Sequence, residues 1–147
     1  MIKNLLVPLD GTELSERAMS ESIALARQLG ASIVGFIAEP DMPLPNMATN
    51  PRAYQRESAA HEVATDTHAH ALLSNFGERA QAAGVSFSGR HQRTDAIDAA
   101  IAGVADELDA AMIVMVTHGR GAFAGLLFGS HTRKVMERTK VPLLVLH

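Results

Sequence analysis

The first forty residues alternate between short apolar runs and one stretch of helical periodicity, and this alternation constrains the fold more than any other feature. Residues 5–9 form the first apolar run, and a turn follows it. From Leu14 onward apolar residues recur at helical spacing until Gly30, which has the character of a C-cap, and residues 32–38 form a second apolar run. Two strands joined by a helix in this way predict parallel pairing.

The middle of the chain contains an irregular segment, a long helix and an edge strand. Residues 53–83 are rich in Ala, Glu, Gln and His, which predicts one long helix closed by Gly84. Residues 85–88 alternate in polarity, and this pattern favours an edge strand with one face in water. Before the helix, four prolines predict a break in regular structure and a candidate mobile loop: Pro40, Pro43, Pro45 and Pro51.

The last third continues the alternation. Asp95 is expected to N-cap a third helix. Residues 111–116 form the most apolar run of the chain, which predicts a central strand covered on both faces. A glycine-rich loop over residues 117–129 follows, Ser130 is expected to open the last helix, and residues 141–146 form a fifth strand.

The composition argues against several classes of protein. The chain has 147 residues and a net charge of −3, which gives no electrostatic reason to expect a nucleic acid or an acidic membrane as partner. It has no cysteine, so disulfides and thiolate metal sites are excluded. The absence of cysteine is also consistent with a protein of a reducing compartment. We find no signal-peptide pattern and no apolar run of membrane-spanning length. We therefore expect a cytoplasmic protein with one domain over residues 1–147.

Residues 117–132 carry the pattern that is most informative about function. Glycines allow the backbone to approach a phosphate, and the start of the following helix offers unpaired N–H donors. Ser130 and Thr132 add hydroxyl donors, whereas no Lys follows the last glycine, so this is not a Walker loop. The alternative is that Ser130 only caps a helix and the glycines form a surface turn. The position of the loop in the fold bears on this choice.

Open α/β sheets bind ligands at the carboxyl ends of strands, where the strand order reverses. Asp10 lies just after the first strand and Gly119 just after the fourth. If those two strands are neighbours, both residues face one crevice.

Three stretches of the chain resemble the universal stress protein family, and the resemblance covers almost its whole length. They are residues 6–13 with Ser15 and Ala18, residues 113–121, and the Gly129–Ser130 pair followed by residues 141–145. The ATP-binding branch of that family has Gly, two residues, Gly, nine residues, then Gly-Ser or Gly-Thr. Gly119 and Gly129–Ser130 match this pattern, and its first glycine is replaced by Val116.

The resemblance implies a Rossmann-like three-layer α/β sandwich. Its parallel sheet would have five strands in the order 3-2-1-4-5, with two helices on each face. The adenine would lie between the end of the first strand and Ile37, with Asp10 near the ribose or a phosphate-bound Mg²⁺ and the glycine-rich loop on the phosphates. The binding residues implied in this way are Pro8, Leu9, Asp10, Ile37, Val116, His118, Gly119, Arg120, Gly129, Ser130, His131 and Thr132.

Several side chains admit two interpretations. His118 and His131 flank the loop. A catalytic histidine needs a nucleophile or a carboxylate within hydrogen-bond reach, for which the sequence offers Asp10, and a structural or phosphate-contact role is favoured over catalysis. Arg120 either reaches a phosphate or faces water. His61 and His68 lie two helical turns apart, too far to chelate one ion directly, which favours a solvated helix face.

Residues 141–146 form an uncharged strand at the edge of the implied sheet, and such an edge is a liability unless it is paired. We therefore expect a homodimer in which two such strands meet. The sequence predicts a dimeric regulatory module that binds ATP or another adenine nucleotide. The alternatives are a dimeric signalling module without nucleotide, which Val116 favours, and a slow ATP hydrolase, for which no water-positioning residue is identifiable.

Overall fold

The computed structural model describes residues 3–117 and 130–147. None of the helices in these ranges combines the length and the hydrophobicity that crossing a membrane requires. His118, Gly119, Arg120 and Gly129 lie outside the described residues. The elements in chain order are β1 (Asn4–Leu9), α1 (Glu13–Leu29), β2 (Ser32–Glu39), α2 (Pro51–Ala82), β3 (Phe87–Arg93), α3 (Ile97–Glu107), β4 (Met112–Val116), α4 (Ser130–Arg138) and β5 (Leu143–Leu146).

The five strands form one sheet in the order β3-β2-β1-β4-β5, and every neighbouring pair is parallel. This confirms both the parallel pairing predicted from the first forty residues and the strand order implied by the resemblance. β1 pairs with β2 along its whole length, so that Leu9 lies opposite Ile37. On its other side β1 pairs with β4, where Leu5 lies opposite Met112.

The helices cover both faces of the sheet because successive residues of the buried strands point to opposite sides. Leu5 and Val7 of β1 belong to a core shared with α1 and α2, whereas Leu6 between them belongs to a core shared with α3 and α4. All three of these side chains are fully buried. Burying an aliphatic side chain of this size stabilises the fold by about 1.5–3 kcal/mol relative to exposure. β1 therefore stabilises both layers of helices.

α1 begins and ends at the signals that the sequence contains. Thr12 caps its amino end, where the Thr12 hydroxyl accepts a hydrogen bond from the Leu14 amide. Gly30 caps its carboxyl end in the left-handed conformation, with φ of 63°. The prediction of a C-cap at Gly30 is confirmed.

α2 begins at Pro51, which the sequence pattern had assigned to the irregular segment. The Asn50 side chain accepts hydrogen bonds from the amides of Arg52 and Ala53, and proline fits the first helical position because its missing N–H would have no partner there. The helix then continues through Gly77 to Ala82. The long helix is confirmed, and the expectation that Pro51 breaks regular structure is wrong.

The expected cap of α3 is also wrong. α3 begins at Ile97, and its N-cap residue, Ala96, makes no side-chain capping bond. The Thr94 hydroxyl accepts from the Ala96 amide at 3.1 Å, so Thr94 stabilises the turn in which Asp95 was expected to act. Asp95 is exposed.

β3 and β5 both begin two residues later than the sequence pattern predicts. The Val85 amide donates to the Ala80 carbonyl of α2, so Val85 belongs to the end of that helix and β3 begins at Phe87. β3 lies at the sheet edge and exposes Ser88 and Gln92, as its alternation predicts. The Val141 amide donates to the Thr139 hydroxyl, and the last strand begins at Leu143.

The close packing around Gly35 of β2 predicts an effect on stability. A Cβ at Gly35 would lie 2.9 Å from ring atoms of Phe87 and 3.0 Å from Phe76. We expect Gly35→Ala to lower the free energy of unfolding by about 1–3 kcal/mol, because the two rings must shift. Urea denaturation, monitored by circular dichroism, measures the free energy of unfolding.

Gly103→Ala is the matched control. Gly103 lies in α3, and nothing approaches the position of its added Cβ within 4 Å. We expect it to raise the stability by up to about 1 kcal/mol through helix propensity. Equal stability of Gly35→Ala and the unmodified protein would contradict the packing described here.

Candidate functional site

The sheet has a topological switch point between β1 and β4. These strands are parallel neighbours, yet the chain leaves β1 for α1 on one face and leaves β4 for α4 on the other. A crevice opens where neighbouring strands connect to opposite faces, and ligands of open α/β sheets bind there. Asp10 follows β1 and Thr117 follows β4 at this end of the sheet. The predicted adjacency of the first and fourth strands is confirmed.

Asp10 is held in a tight turn at the mouth of this crevice. Its Oδ1 atom accepts hydrogen bonds from the Thr12 amide at 2.9 Å, the Thr12 hydroxyl at 2.6 Å and the Ser15 hydroxyl at 3.3 Å. The Ser15 hydroxyl in turn accepts from the Gly11 amide at 3.1 Å. These bonds fix the carboxylate through Oδ1, and its second oxygen, Oδ2, can accept a ligand hydroxyl or bind a cation.

Apolar side chains fill the core beneath the carboxyl ends of the three central strands. Leu9 and Ile37 are register partners and are 5% and 2% exposed. Val116, the last residue of β4, is partly buried and packs against the same core, on the face of α1 and α2. Pro8 pairs with Phe36 and is partly buried. Leu9, Ile37 and Val116 thus contribute to one apolar layer at this end of the sheet.

The start of α4 supplies polar groups on the other face. Ser130 is the first helical residue, as predicted, and it is exposed, whereas Thr132 is buried. The His131 Nδ1 atom lies 2.7 Å from the Asp98 Oδ1 atom of α3. The first turn of a helix has unpaired N–H groups and a partial positive charge, so it is suited to an anion.

Sequence reasoning did not single out Asp98, although an acid three positions after the expected cap of α3, Asp95, was a visible signal.

α2 also contacts the turn after β1. A Cβ placed on Gly11 would lie 2.6 Å from the His68 Nε2 atom, so the imidazole lies against the backbone of Gly11. His68 is exposed, whereas His61 is partly buried and its Nε2 atom has no hydrogen-bond partner among the described residues. The interpretation of a purely solvated helix face therefore needs correction. No local pattern in α2 could have indicated the contact with Gly11.

Charged side chains anchor α2 to the carboxyl ends of β2 and β3. Arg93 of β3 donates to Asp66 of α2 at 2.7 Å and lies 3.6 Å from Asp41. His91 lies between Glu39, at 3.5 Å, and Asp66, at 3.7 Å. We call Glu39, Asp41, Asp66, His91 and Arg93 the α2 anchor. Residues 3–117 and 130–147 contain no group of three or more His, Asp or Glu side chains that could hold a metal ion.

A further ion pair lies outside the candidate site. Arg90 of β3 donates to Glu107 of α3 at 2.9 Å. This hydrogen bond and the charge of Arg90 lower the pKa of Glu107 below its usual value, and Glu107 raises the pKa of Arg90. Both side chains are exposed, so solvent screens the pair and its contribution to stability is small.

Two open depressions lie at the opposite end of the sheet. Both are lined by Gly84, Val85 and Ser86, next to the start of β3, and Lys3 lines one of them. Ligands of parallel sheets bind at the carboxyl ends of strands rather than at these amino ends. We therefore place the candidate site at the switch point.

Comparisons with known proteins agree with the fold described above. The model of the universal stress protein family matches residues 1–147. Universal stress protein Rv1636 of Mycobacterium tuberculosis (strain ATCC 25618 / H37Rv) is 29% identical over 99% of this chain and 96% of its own.

Two solved structures are similar over 99% of this chain. A universal stress protein crystallised in complex with cAMP is 25% identical, with a TM-score of 0.67 and 97% of that chain covered. The hypothetical protein MJ0577 has a TM-score of 0.77 at 18% identity, with 96% of that chain covered, and shows the shared fold.

The turn after β1 predicts a measurable role for Ser15. Its hydroxyl is buried and links Gly11 to Asp10, so we expect Ser15→Ala to lower the free energy of unfolding by about 1 kcal/mol and to loosen the turn. Hydrogen exchange at the Gly11 and Thr12 amides reports the loosening. Ser74→Ala, an exposed position on α2, serves as the control. Unchanged exchange at both amides in Ser15→Ala would contradict this account.

Proposed function

We propose that this chain, which belongs to the universal stress protein family, binds an adenine nucleotide in the crevice between the carboxyl ends of β1 and β4. The observation that carries the proposal is the switch point. Asp10, whose carboxylate is held by hydrogen bonds, follows β1, and α4 follows the adjacent strand β4 on the opposite face of the sheet from α1. A nucleotide has an apolar base, a sugar with hydroxyl groups and an anionic phosphate, and each part finds a suitable surface there.

The three parts of the ligand are assigned as follows. The base packs on the apolar layer that includes Leu9, Ile37 and Val116. Asp10 accepts hydrogen bonds from the sugar or contributes one oxygen to a phosphate-bound Mg²⁺ through Oδ2, since Oδ1 already accepts three bonds. The first turn of α4, with Ser130 and the backbone of His131, faces the phosphates.

The nucleotide proposed first is ATP. The solved universal stress protein that is 25% identical to this chain holds cAMP, and this supports an adenine nucleotide in general. Gly119, Gly129 and Ser130 keep the spacing of the ATP-binding branch, and this supports ATP in particular. We also propose a cytoplasmic location, since the lack of cysteine is consistent with a reducing compartment, and a single domain over residues 1–147.

Isothermal titration calorimetry tests the proposal. We expect saturable binding of ATP, and weaker binding when Mg²⁺ is removed with a chelator. Asp10→Asn should weaken ATP binding by roughly tenfold to a hundredfold, because a hydrogen bond to a charged group is worth about 1.5–3 kcal/mol. cAMP and AMP titrated in parallel identify the preferred phosphate.

Asp95→Asn is the matched control, since Asp95 is another exposed acid that lies between the carboxyl end of β3 and α3. It should leave the ATP affinity unchanged. Absence of binding by ATP, AMP and cAMP at millimolar concentration would refute the proposed function.

A second candidate function, a signalling module without nucleotide, is favoured by Val116. This residue stands where the ATP-binding branch has glycine, and its side chain lies at the end of β4. Val116→Gly separates the two functions. ATP binding that appears only in this variant would show that the natural chain acts without nucleotide, whereas similar affinities would show that Val116 is compatible with the ligand.

We further propose that the chain forms a homodimer through β5. β5 pairs with β4 on one side only in the described part of the chain, and all four of its apolar residues are partly exposed. The Pro142 and Leu146 carbonyls accept from the amides of Ile113 in β4 and of Thr117 just after it. By alternation the N–H and C=O groups of Leu143 and Val145 face the open edge. An edge of this kind can pair with its copy around a two-fold axis.

Val145→Pro tests the dimer. Proline removes the N–H that faces the open edge but no bond to β4, so we expect a monomer with a native circular dichroism spectrum. Val145→Ala keeps the N–H and should remain a dimer. Size-exclusion chromatography with light scattering gives the mass of each. A monomeric unmodified protein at high concentration would rule the dimer out.

A further inference from the structure

His68 lies on a part of α2 that is fixed in position. The neighbouring Thr65 and Asp66 bind the Arg93 guanidinium at 3.0 and 2.7 Å, and the Arg93 side chain is only 19% exposed. One residue beyond His68, Ala69 is fully buried in the core. The α2 anchor on one side and the core on the other thus determine where His68 projects, independently of the imidazole itself.

The imidazole projects onto the turn that holds Asp10. Its Nε2 atom lies 2.6 Å from the position of a Cβ on Gly11, so any side chain at this position would displace the imidazole. Gly11 also has φ of 77°, a left-handed conformation that favours glycine. Because Gly11 directly follows Asp10, His68 reaches the β1 side of the crevice from α2.

A carboxylate and an imidazole that reach the same turn form a suitable pair for neighbouring hydroxyl groups. The Asp10 carboxylate only accepts hydrogen bonds, whereas an imidazole accepts at one nitrogen and donates at the other. A vicinal diol both donates and accepts, and Asp10 has one oxygen that is not engaged by the turn. His68 is exposed, and it forms no side-chain hydrogen bond with another described residue, so the part of its ring that does not face Gly11 can serve a ligand.

We infer that His68 is a further binding residue of the crevice, and that with Asp10 it recognises the two ribose hydroxyls of the nucleotide. This inference rests on the proposed function and extends it, because it assigns selectivity for ribose over deoxyribose to a residue of α2. Core packing and the α2 anchor hold the helix, so the imidazole is available for binding rather than needed for folding.

The test compares ATP with 2′-deoxy-ATP and 3′-deoxy-ATP by calorimetry, in the full chain and in His68→Ala. Loss of one hydrogen bond should weaken ATP binding by about threefold to tenfold. The affinity for at least one deoxy nucleotide should change less than twofold, so the preference for ribose shrinks. His68 is exposed, so the melting temperature should stay close to that of the unmodified protein.

His70→Ala is the matched control. His70 lies two residues along the same helix, is exposed, and its Nδ1 atom lies 2.7 Å from the Asp66 carbonyl rather than near Gly11. It should leave the preference for ribose unchanged. In the unmodified protein, ATP should shift the NMR signals of the His68 ring more than those of the His70 ring.

The outcomes separate the two proposals. If the unmodified protein binds ATP but His68→Ala binds all three nucleotides as before, or loses them equally, the role of His68 is refuted and the proposed function stands. If the unmodified protein binds no adenine nucleotide, the proposed function fails and the role of His68 fails with it.

Discussion

Burial of β1 on both faces and along both edges is the constraint on which the rest of the structure depends. Leu5, Leu6 and Val7 are fully inaccessible to solvent, and β2 and β4 pair with β1 on either side. Because β1 leads to β2 on one side and β4 leads to β5 on the other, right-handed crossovers place the helices that follow β1 and β4 on opposite faces. The crevice is thus a by-product of covering a parallel sheet on both sides.

The turn after β1 places a fixed polar group at the crevice. A buried strand ends at Leu9, and the next residue, Asp10, is exposed but fixed by three hydrogen bonds to one carboxylate oxygen. Those same bonds connect the strand to the N-cap of α1, so the element that stabilises the helix also orients the carboxylate. Preorganisation of this kind lowers the entropic cost of binding a ligand.

Periodicity predicted much of the fold, and contacts distant in sequence explain where it failed. The patterns of residues 111–116 and of the segment around α1 predicted their structures correctly. In both, the apolar residues that become buried follow a regular spacing along the sequence. Asp95 does not cap α3 because Thr94 already stabilises that turn. The bond between Arg93 and Asp66, and the contact of His68 with Gly11, join residues of separate elements, so no local pattern signals them.

Val116 shows how a departure from a family pattern can be judged from packing. Glycine is required at a position where the backbone adopts a conformation closed to other residues, or where a ligand approaches the backbone closely. Val116 instead continues β4 in register with Leu146, and the following amide, of Thr117, still donates to the Leu146 carbonyl at 2.8 Å. A valine is therefore unstrained here. Its side chain extends the apolar layer of Leu9 and Ile37 at this end of the core.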